Sequence, residues 1–298
     1  MVEKAQANDA CMVRRFLADA RFDVYLQYAA QYVDADEDRL IELAVALYRW
    51  NVQAASMTIG YISFVEVFVR NAIDRQLRQW VASQHITDLP DWLEVGDRDL
   101  IGRIRALINS AERDYLTEAR NAALRKQRQW RSDQTHPRHG DSITRDDVFS
   151  QLTFGTWDGM LARSSRDMEL AHVLMKAFPN IEDAWSAEMR RMPKVSLPGK
   201  ESDPREHRLR LELIDRLKSI RTVRNRISHD ENFLRVEFSK LRHDMFFVLN
   251  ALGAECPQWA FPDKIDSLKT MSPRNCIAAW ASNTGKTGKE IIYGVGVR

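Results

Sequence analysis

The chain has 298 residues, 44% of them hydrophobic, which is enough for one large helical domain or two small ones with a substantial core. The formal net charge is only +2, so any role in nucleic-acid binding must depend on local basic patches. The three cysteines, Cys11, Cys256 and Cys276, are scattered and form no C-x-x-C pair. They predict reduced thiols and argue against a disulfide framework or a zinc site.

The sequence shows no clear membrane span or secretion signal. The most apolar candidate, residues 56–69, is shorter than the roughly twenty residues that a span requires and contains Glu66. The N-terminus carries acidic residues and lacks the apolar core of a signal peptide. We therefore expect a cytoplasmic protein with no membrane partner.

Apolar residues recur at three- and four-residue spacing along most of the chain, which is typical of helices that bury one face. Alternating stretches are nearly absent, so the sequence predicts an all-α protein. The predicted helices cover residues 9–33, 37–54, 57–84, 97–131, 145–176, 180–192, 205–227 and 229–252. Two polar stretches with Pro and Gly, residues 131–144 and 194–204, are predicted as exposed connections within one bundle. We expect a helical domain over residues 1–253 and a partly irregular tail over residues 254–298, which is helical only in the short NCIAAWA stretch.

Glu66 and Arg70 lie one turn apart in the otherwise apolar stretch ISFVEVFVRNAI. Side chains four residues apart on a helix are neighbours, and buried charges usually need an opposite partner. We expect an ion pair that organises the bundle. A supporting role near an active site is the alternative.

A basic patch covers residues 120–140, with six Lys or Arg residues against the single acid Asp133. These cations could follow an RNA backbone while an indole stacks on a base, or they could form a solvated charged face. The candidate RNA-binding residues of this patch are Arg120, Arg125, Lys126, Arg128, Trp130 and Arg131. His136 and His139, which follow, show only H-x-x-H spacing, so we predict no metal site and no cofactor.

The segment RTVRNRISHDENF, residues 221–233, places three arginines, an asparagine and a histidine between two apolar helical runs. Arg224 and His229 are separated by about 140° around an ideal helix, so one straight helix does not direct both at one substrate. Residues 228–231 match the S/T-x-x-E capping box and predict a new helix starting at His229, where the helix dipole would favour a neutral imidazole. If the helix instead continues, Asn225 and His229 share a face and the amide can orient the ring.

The string IRTVRNRISHDENF resembles the RNR-I-A-H-H-E block of the Abi-like proteins, a bacterial abortive-infection family of the HEPN superfamily. Residues 63–77, SFVEVFVRNAIDRQL, are similar to the LE-x-x-x-RNAI helix of that family. Residues 151–161, QLTFGTWDGML, are similar to its LTFG-x-W segment. The three blocks occur in the family's order and cover about residues 40–252. The chain departs from the pattern at Asp230, where the family often has a second histidine.

The resemblance implies a HEPN-like helical bundle with additional helices, and an R-x4-x6-H ribonuclease motif that is completed at a homodimer interface. Carried onto this chain, the motif falls on Arg224, Asn225 and His229. His229 would act as acid or base, and Arg224 would stabilise the transition state. RNA is the implied substrate, cut by attack of its own 2′-hydroxyl without metal or cofactor.

Three neighbours of the motif have other expected roles. Arg221 and Arg226 are expected either to contact backbone phosphates or to form salt bridges, and Glu231 is a possible supporting residue. Without the resemblance, a helix-end ion pair for Arg224 and a capping role for His229 would be the simpler interpretation.

The expected function is phage defence by abortive infection, or toxicity restrained by an antitoxin protein or a regulatory RNA. The main alternative is a module of the same fold that binds RNA or nucleotide without cleaving it. A third interpretation is a structural helical protein in which Arg224 and His229 belong to an interface network.

Overall fold

The computed structural model describes residues 12, 15–84, 91–93, 99–262 and 267–282. The structure is 72% helical, and the described residues contain no β-strand. The predicted all-α class is therefore confirmed, while the HEPN-like arrangement of the helices stays a prediction.

We number the thirteen α-helices of the described residues in chain order. Helices α1 to α7 are Asp19–Ala30, Glu37–Ser83, Asp99–Ile108, Tyr115–Ser132, Arg145–Phe149, Phe154–Arg163 and Met168–Met175. Helices α8 to α13 are Ile181–Arg191, Arg205–Ser228, Phe238–Leu252, Cys256–Ala260, Ser267–Thr270 and Pro273–Ser282. The start of the first predicted helix, Cys11 and residues 283–298 of the tail fall outside the described residues.

Helix α2 is continuous over 47 residues, where the sequence predicts two helices. The hydroxyl of Ser56, at the predicted break, bonds to the carbonyl oxygen of Val52 at 3.0 Å and leaves the helix uninterrupted. Among the described residues, α2 is the one helix whose length and composition would permit a membrane crossing, with an 18-residue window of mean hydropathy 1.4 that is 28% buried. Core helices of soluble proteins meet the same criterion, so the expected absence of a membrane span stays a prediction.

Two long predicted helices are divided, because aspartate side chains cap new helices inside them. In the range 97–131, Asp114 accepts a hydrogen bond from the amide of Thr117 at 3.0 Å and starts α4. In the range 145–176, Asp167 accepts a hydrogen bond from the amide of Leu170 at 3.1 Å and starts α7. Such side chains satisfy the free amides of a helix start.

Packing divides the chain into two compact units, each drawn from separate segments. The first unit takes its described residues from the ranges Met1–Ser63, Thr222–His243 and Phe261–Arg298. The second unit takes them from Phe64–Arg221 and Asp244–Ala260. The prediction of a helical domain over residues 1–253 stays a prediction.

The first unit has an aromatic and aliphatic core. Phe22, Leu43, Leu47 and Ile62 are fully buried there. The ring of Trp50 meets that of Phe238 edge to face, with centroids 6.1 Å apart.

The second unit contains a charged group within its packed interior. Arg216 of α9 donates to Glu212 at 2.7 Å, to Asp244 at 2.9 Å and to Glu188 at 3.3 Å. The Asp244 side chain is 0% exposed and that of Arg216 only 13%. Three largely buried carboxylates therefore surround the Arg216 guanidinium, and Glu188 also accepts from Arg191 at 2.8 Å.

Replacing Arg216 with Met should lower the free energy of unfolding by about 3–5 kcal/mol, because it leaves buried carboxylates without their cation. Urea titration followed by circular dichroism measures the loss. Arg205→Met is the matched control, since Arg205 and Glu182 form a surface pair with both side chains more than half exposed, and it should cost at most about 1 kcal/mol. Equal losses for the two variants would contradict the role of Arg216.

Asp114 gives the fold a dependence on pH. Burial would raise the pKa of Asp114, but hydrogen bonds from Thr117 and Arg105 outweigh it and lower the pKa to about 2. An unfolded aspartate has a pKa of about 3.9. Between these values the unfolded state binds more protons, so stability is lost as the pH falls.

The Asp114→Asn variant should therefore lose less stability than the wild type between about pH 4 and pH 2. Asparagine caps a helix about as well as aspartate, so the substitution mainly removes the titrating charge. Urea unfolding at a series of pH values measures the two slopes. An unchanged slope in the variant would show that Asp114 does not contribute to acid sensitivity.

Candidate functional site

The motif residues lie at the C-terminal end of helix α9 and in the loop that follows. The helix is continuous to Ser228, so the predicted capping box and the new helix at His229 are wrong. The amide of His229 bonds to the carbonyl oxygen of Asn225 at 3.1 Å and completes the last turn of the same helix. The next helix, α10, begins only at Phe238.

The hydroxyl of Ser228 explains why the capping box does not form. It donates back to the carbonyl oxygen of Arg224 at 3.2 Å and accepts from the Arg224 guanidinium at 3.0 Å. Serine often makes such a bond inside a helix, where it competes with capping.

A left-handed residue, Asp230, ends helix α9 with φ of 51°. Its amide donates to the carbonyl oxygen of Ile227 at 3.1 Å. The amide of Glu231 donates to the carbonyl oxygen of Arg226 at 2.8 Å. This is the Schellman arrangement, which satisfies the last carbonyl groups of a helix. His229 is therefore the C-terminal cap, at the negative end of the helix dipole and not at the positive end that the sequence predicts.

Arg226 and Phe233 hold the loop after α9 in place. Arg226 donates to the carbonyl oxygen of Asn232 at 2.7 Å, and its Nε lies 3.6 Å from the carboxylate of Glu231. Phe233 is fully buried, and its amide donates to Oδ1 of Asn51 at 2.6 Å. Arg226 is therefore a salt-bridge partner, which was one of its two predicted roles, and Glu231 is the acid that it faces.

The three motif residues themselves differ in exposure. His229 and Asn225 are exposed, whereas Arg224 is half-buried. Because α9 is uninterrupted, Asn225 and His229 lie one turn apart on one side, and Arg224 is directed to another side. The imidazole is accessible to a polynucleotide, but one protomer does not place Arg224 beside it.

Arg221 is engaged inside the second unit. Its Nε lies 3.0 Å from Oδ2 of Asp158, whose side chain is 5% exposed. Burial raises the pKa of Asp158, and the charge of Arg221 opposes that rise. Gly155 allows this approach, since a Cβ there would lie 3.3 Å from Nη1 of Arg221. Arg221 is therefore a salt-bridge partner, which was one of its two predicted roles.

Glu66 and Arg70 are both half-buried on helix α2 in the second unit. The Cζ atom of Arg70 lies 5.4 Å from the centroid of the Phe149 ring, and its Nε is buried with no hydrogen-bond partner. The ion pair between Glu66 and Arg70 stays a prediction.

Helix α4 carries the predicted basic patch in the second unit. Its exposed cations are Arg120, Arg125, Lys126, Arg128 and Arg131. Trp130 is 8% exposed, with the Arg138 guanidinium 4.1 Å from its ring centroid and the His136 ring stacked against it at 19°. The expectation that this indole stacks on a base is corrected, because neighbouring side chains already cover the ring. The cations remain available for phosphate contacts.

The sequence analysis missed Asn51, which binds the loop that carries the motif. It is a buried polar residue, 6% exposed, in the middle of an apolar helical run. A lone asparagine at a core position is the one local signal that could have indicated a structural hydrogen bond there.

Comparison with known proteins adds no relative: no family model matches the chain, and no curated protein or solved structure is significantly similar to it. The resemblance to the Abi-like proteins therefore depends on the three sequence blocks and stays a prediction.

Asp230 offers a direct test of the loop geometry. Glycine adopts the left-handed region without the steric cost that other residues meet, so Asp230→Gly should raise the free energy of unfolding by up to about 1 kcal/mol. Asp230→Val should lower it, because a β-branched side chain is strained at this φ. Urea unfolding of the three proteins measures the order. If Asp230→Val has a free energy of unfolding equal to that of Asp230→Gly, the proposed cap is incorrect.

Proposed function

We propose that this chain is a metal-independent endoribonuclease of the abortive-infection or toxin type, active as a homodimer. His229 acts as acid or base, Asn225 orients it, and Arg224 stabilises the transition state. The observation that carries the proposal is the exposed His229, held at the end of α9 one turn beyond Asn225 on a loop that Arg226 and Phe233 fix in place.

The chemistry needs no group beyond side chains of these types. The 2′-hydroxyl of RNA attacks the neighbouring phosphorus and leaves a 2′,3′-cyclic phosphate and a 5′-hydroxyl; DNA has no such nucleophile. The step requires a base on the attacking hydroxyl, an acid on the leaving oxygen and positive charge on the phosphorane oxygens. A histidine supplies either proton transfer, and an arginine fork holds two phosphate oxygens.

A homodimer supplies what one protomer lacks. Each chain has one motif histidine, but the reaction uses both a base and an acid. The uninterrupted α9 also directs Arg224 and His229 to different sides of the helix. A two-fold axis beside the ends of two α9 helices would bring two imidazoles and two guanidiniums around one phosphate.

Two further features support RNA as the substrate. Arg224 donates to the hydroxyl of Ser228 at 3.0 Å, and an arginine fork is suited to hold two phosphate oxygens. The exposed cations of α4 would add contacts to backbone phosphates that do not depend on sequence. In a cell, such activity requires restraint by an antitoxin protein or a regulatory RNA.

The proposal is tested with purified wild type, His229→Ala and Arg224→Ala on mixed RNA in EDTA. Wild type should produce fragments with 5′-hydroxyl and 2′,3′-cyclic phosphate ends. Each substitution should slow cleavage by about a hundredfold or more, because it removes proton transfer or transition-state charge. Arg224→Lys should restore only part of the rate, since the ammonium lacks the fork.

The control variant is His172→Ala, which removes an exposed histidine bonded to Glu206 on the surface of the second unit, and it should cleave at the wild-type rate. A 2′-deoxy substrate should stay intact. Light scattering of the active protein should give the mass of a dimer. Unimpaired cleavage by His229→Ala, or an active protein that is strictly monomeric, would overturn the proposal, and RNA binding without cleavage would favour the binding module instead.

A further inference from the structure

A second candidate site is a cavity of about 460 Å³ that lies wholly within the first unit. Its walls come from the last turn of helix α1 and residues 31–32 after it, from residues 234–239 before and at the start of α10, and from residues 271–274 before and at the start of α13. Pockets of this volume commonly hold a small molecule. None of the motif residues Arg224, Asn225 and His229 lines it.

Two exposed arginines converge on the cavity. Arg235 and Arg274 both line it, with Glu237 as the acidic residue of the lining. A hydrogen bond from Tyr28, another from Arg274 and the positive charge of Arg235 lower the pKa of Tyr32. The Tyr32 hydroxyl therefore experiences the charge of both guanidiniums, and the two arginines of the lining outnumber its one carboxylate.

The backbone adds a second source of positive potential. Helix α10 begins at Phe238 and helix α13 at Pro273, and both positions line the cavity. The first amides of a helix lack partners within the helix and favour anions. Ser272 uses one of them, since its Oγ accepts from the amide of Arg274 at 3.2 Å. The amides of Asn275 and Cys276 bond to the carbonyl oxygen of Ser272 at 3.0 and 3.3 Å, so the start of α13 contributes the positive end of its helix dipole and no free amide.

The cavity also has an aromatic wall. The rings of Tyr28 and Tyr32 lie with their centroids 4.9 Å apart at 44°. Tyr32 remains 45% exposed, although the Arg274 guanidinium lies 5.8 Å from its ring centroid. A half-exposed phenol ring beside two guanidiniums can pack against a planar group that carries a phosphate.

We propose that this cavity binds a mononucleotide, with the phosphate on Arg235 and Arg274 and the base against Tyr32. The two arginines account for the phosphate, the exposed ring for the base, and the volume of about 460 Å³ for a single nucleotide. The site is separate from the proposed nuclease motif, and its existence does not depend on RNA cleavage.

Isothermal titration of the full chain tests the site, with AMP and UMP as probes and adenosine and inorganic phosphate as comparators. A nucleotide should bind at least about tenfold more tightly than either comparator, because only the nucleotide fills both parts of the cavity. Arg235→Ala and Arg274→Ala should each weaken nucleotide binding by about 10- to 100-fold, the usual range for a lost charged hydrogen bond. Tyr32→Ala should weaken AMP binding and leave phosphate binding unchanged.

The matched control is Arg39→Ala, since Arg39 is an exposed arginine of the same unit that lies outside the cavity lining. It should bind AMP as the wild type does. Circular dichroism should show that all variants are folded, as expected for exposed side chains. Phosphate binding as tight as AMP, full binding by Arg274→Ala, or loss of binding in Arg224→Ala would each overturn the assignment. The assay measures no cleavage, so its failure leaves the nuclease proposal untouched.

Discussion

The candidate site depends on how the chain satisfies the last carbonyl groups of helix α9. A helix end leaves carbonyl oxygens without intrahelical donors, and here the amides of Asp230 and Glu231 turn back to them. The reversal requires a left-handed residue, which Asp230 provides at φ of 51°. The exposed His229 precedes this turn, and the buried Phe233 and the start of α10 at Phe238 come after it.

The arginines of α9 and its end are distinguished by their partners. Arg216 and Arg221 neutralise buried carboxylates, and Arg226 binds a backbone carbonyl group of the loop. A guanidinium that compensates a buried charge cannot leave it without a large loss of stability. The proposed chemistry assigns substrate phosphate to Arg224 and to the exposed cations of α4, and it assigns a structural role to Arg216, Arg221 and Arg226.

The stretch between α9 and α10 serves both proposed sites. Its first residue, His229, belongs to the nuclease motif, while residues 234–239 line the cavity of the first unit. Irregular segments held by a rigid scaffold are common places for binding residues, because their side chains and backbone groups are not used by helix packing. Here the scaffold is α2, whose Asn51 binds the amide of Phe233.

Much of the architecture could be predicted from the sequence. The all-α class and the bounds of α8 and α9 follow from apolar residues at helical spacing, because each helix must bury one face. The same pattern failed at 37–84, where it indicated a break that α2 does not have, and at Asp114 and Asp167, where the capping bonds formed. Aspartate is compatible with either a cap or a helix surface, so its local pattern does not decide between them.

The sequence by itself determined that an arginine, an asparagine and a histidine would lie close together on or beside one helix end. Only the tertiary structure decided whether this helix end was the start of one helix or the stop of another. The residues Ser228 to Glu231 are compatible with a helix start, but the buried Phe233 and its bond to Asn51, 182 residues away in the chain, hold them as a helix stop. A local pattern contains no information about so distant a donor or acceptor, and the free energy of that buried contact selects the outcome.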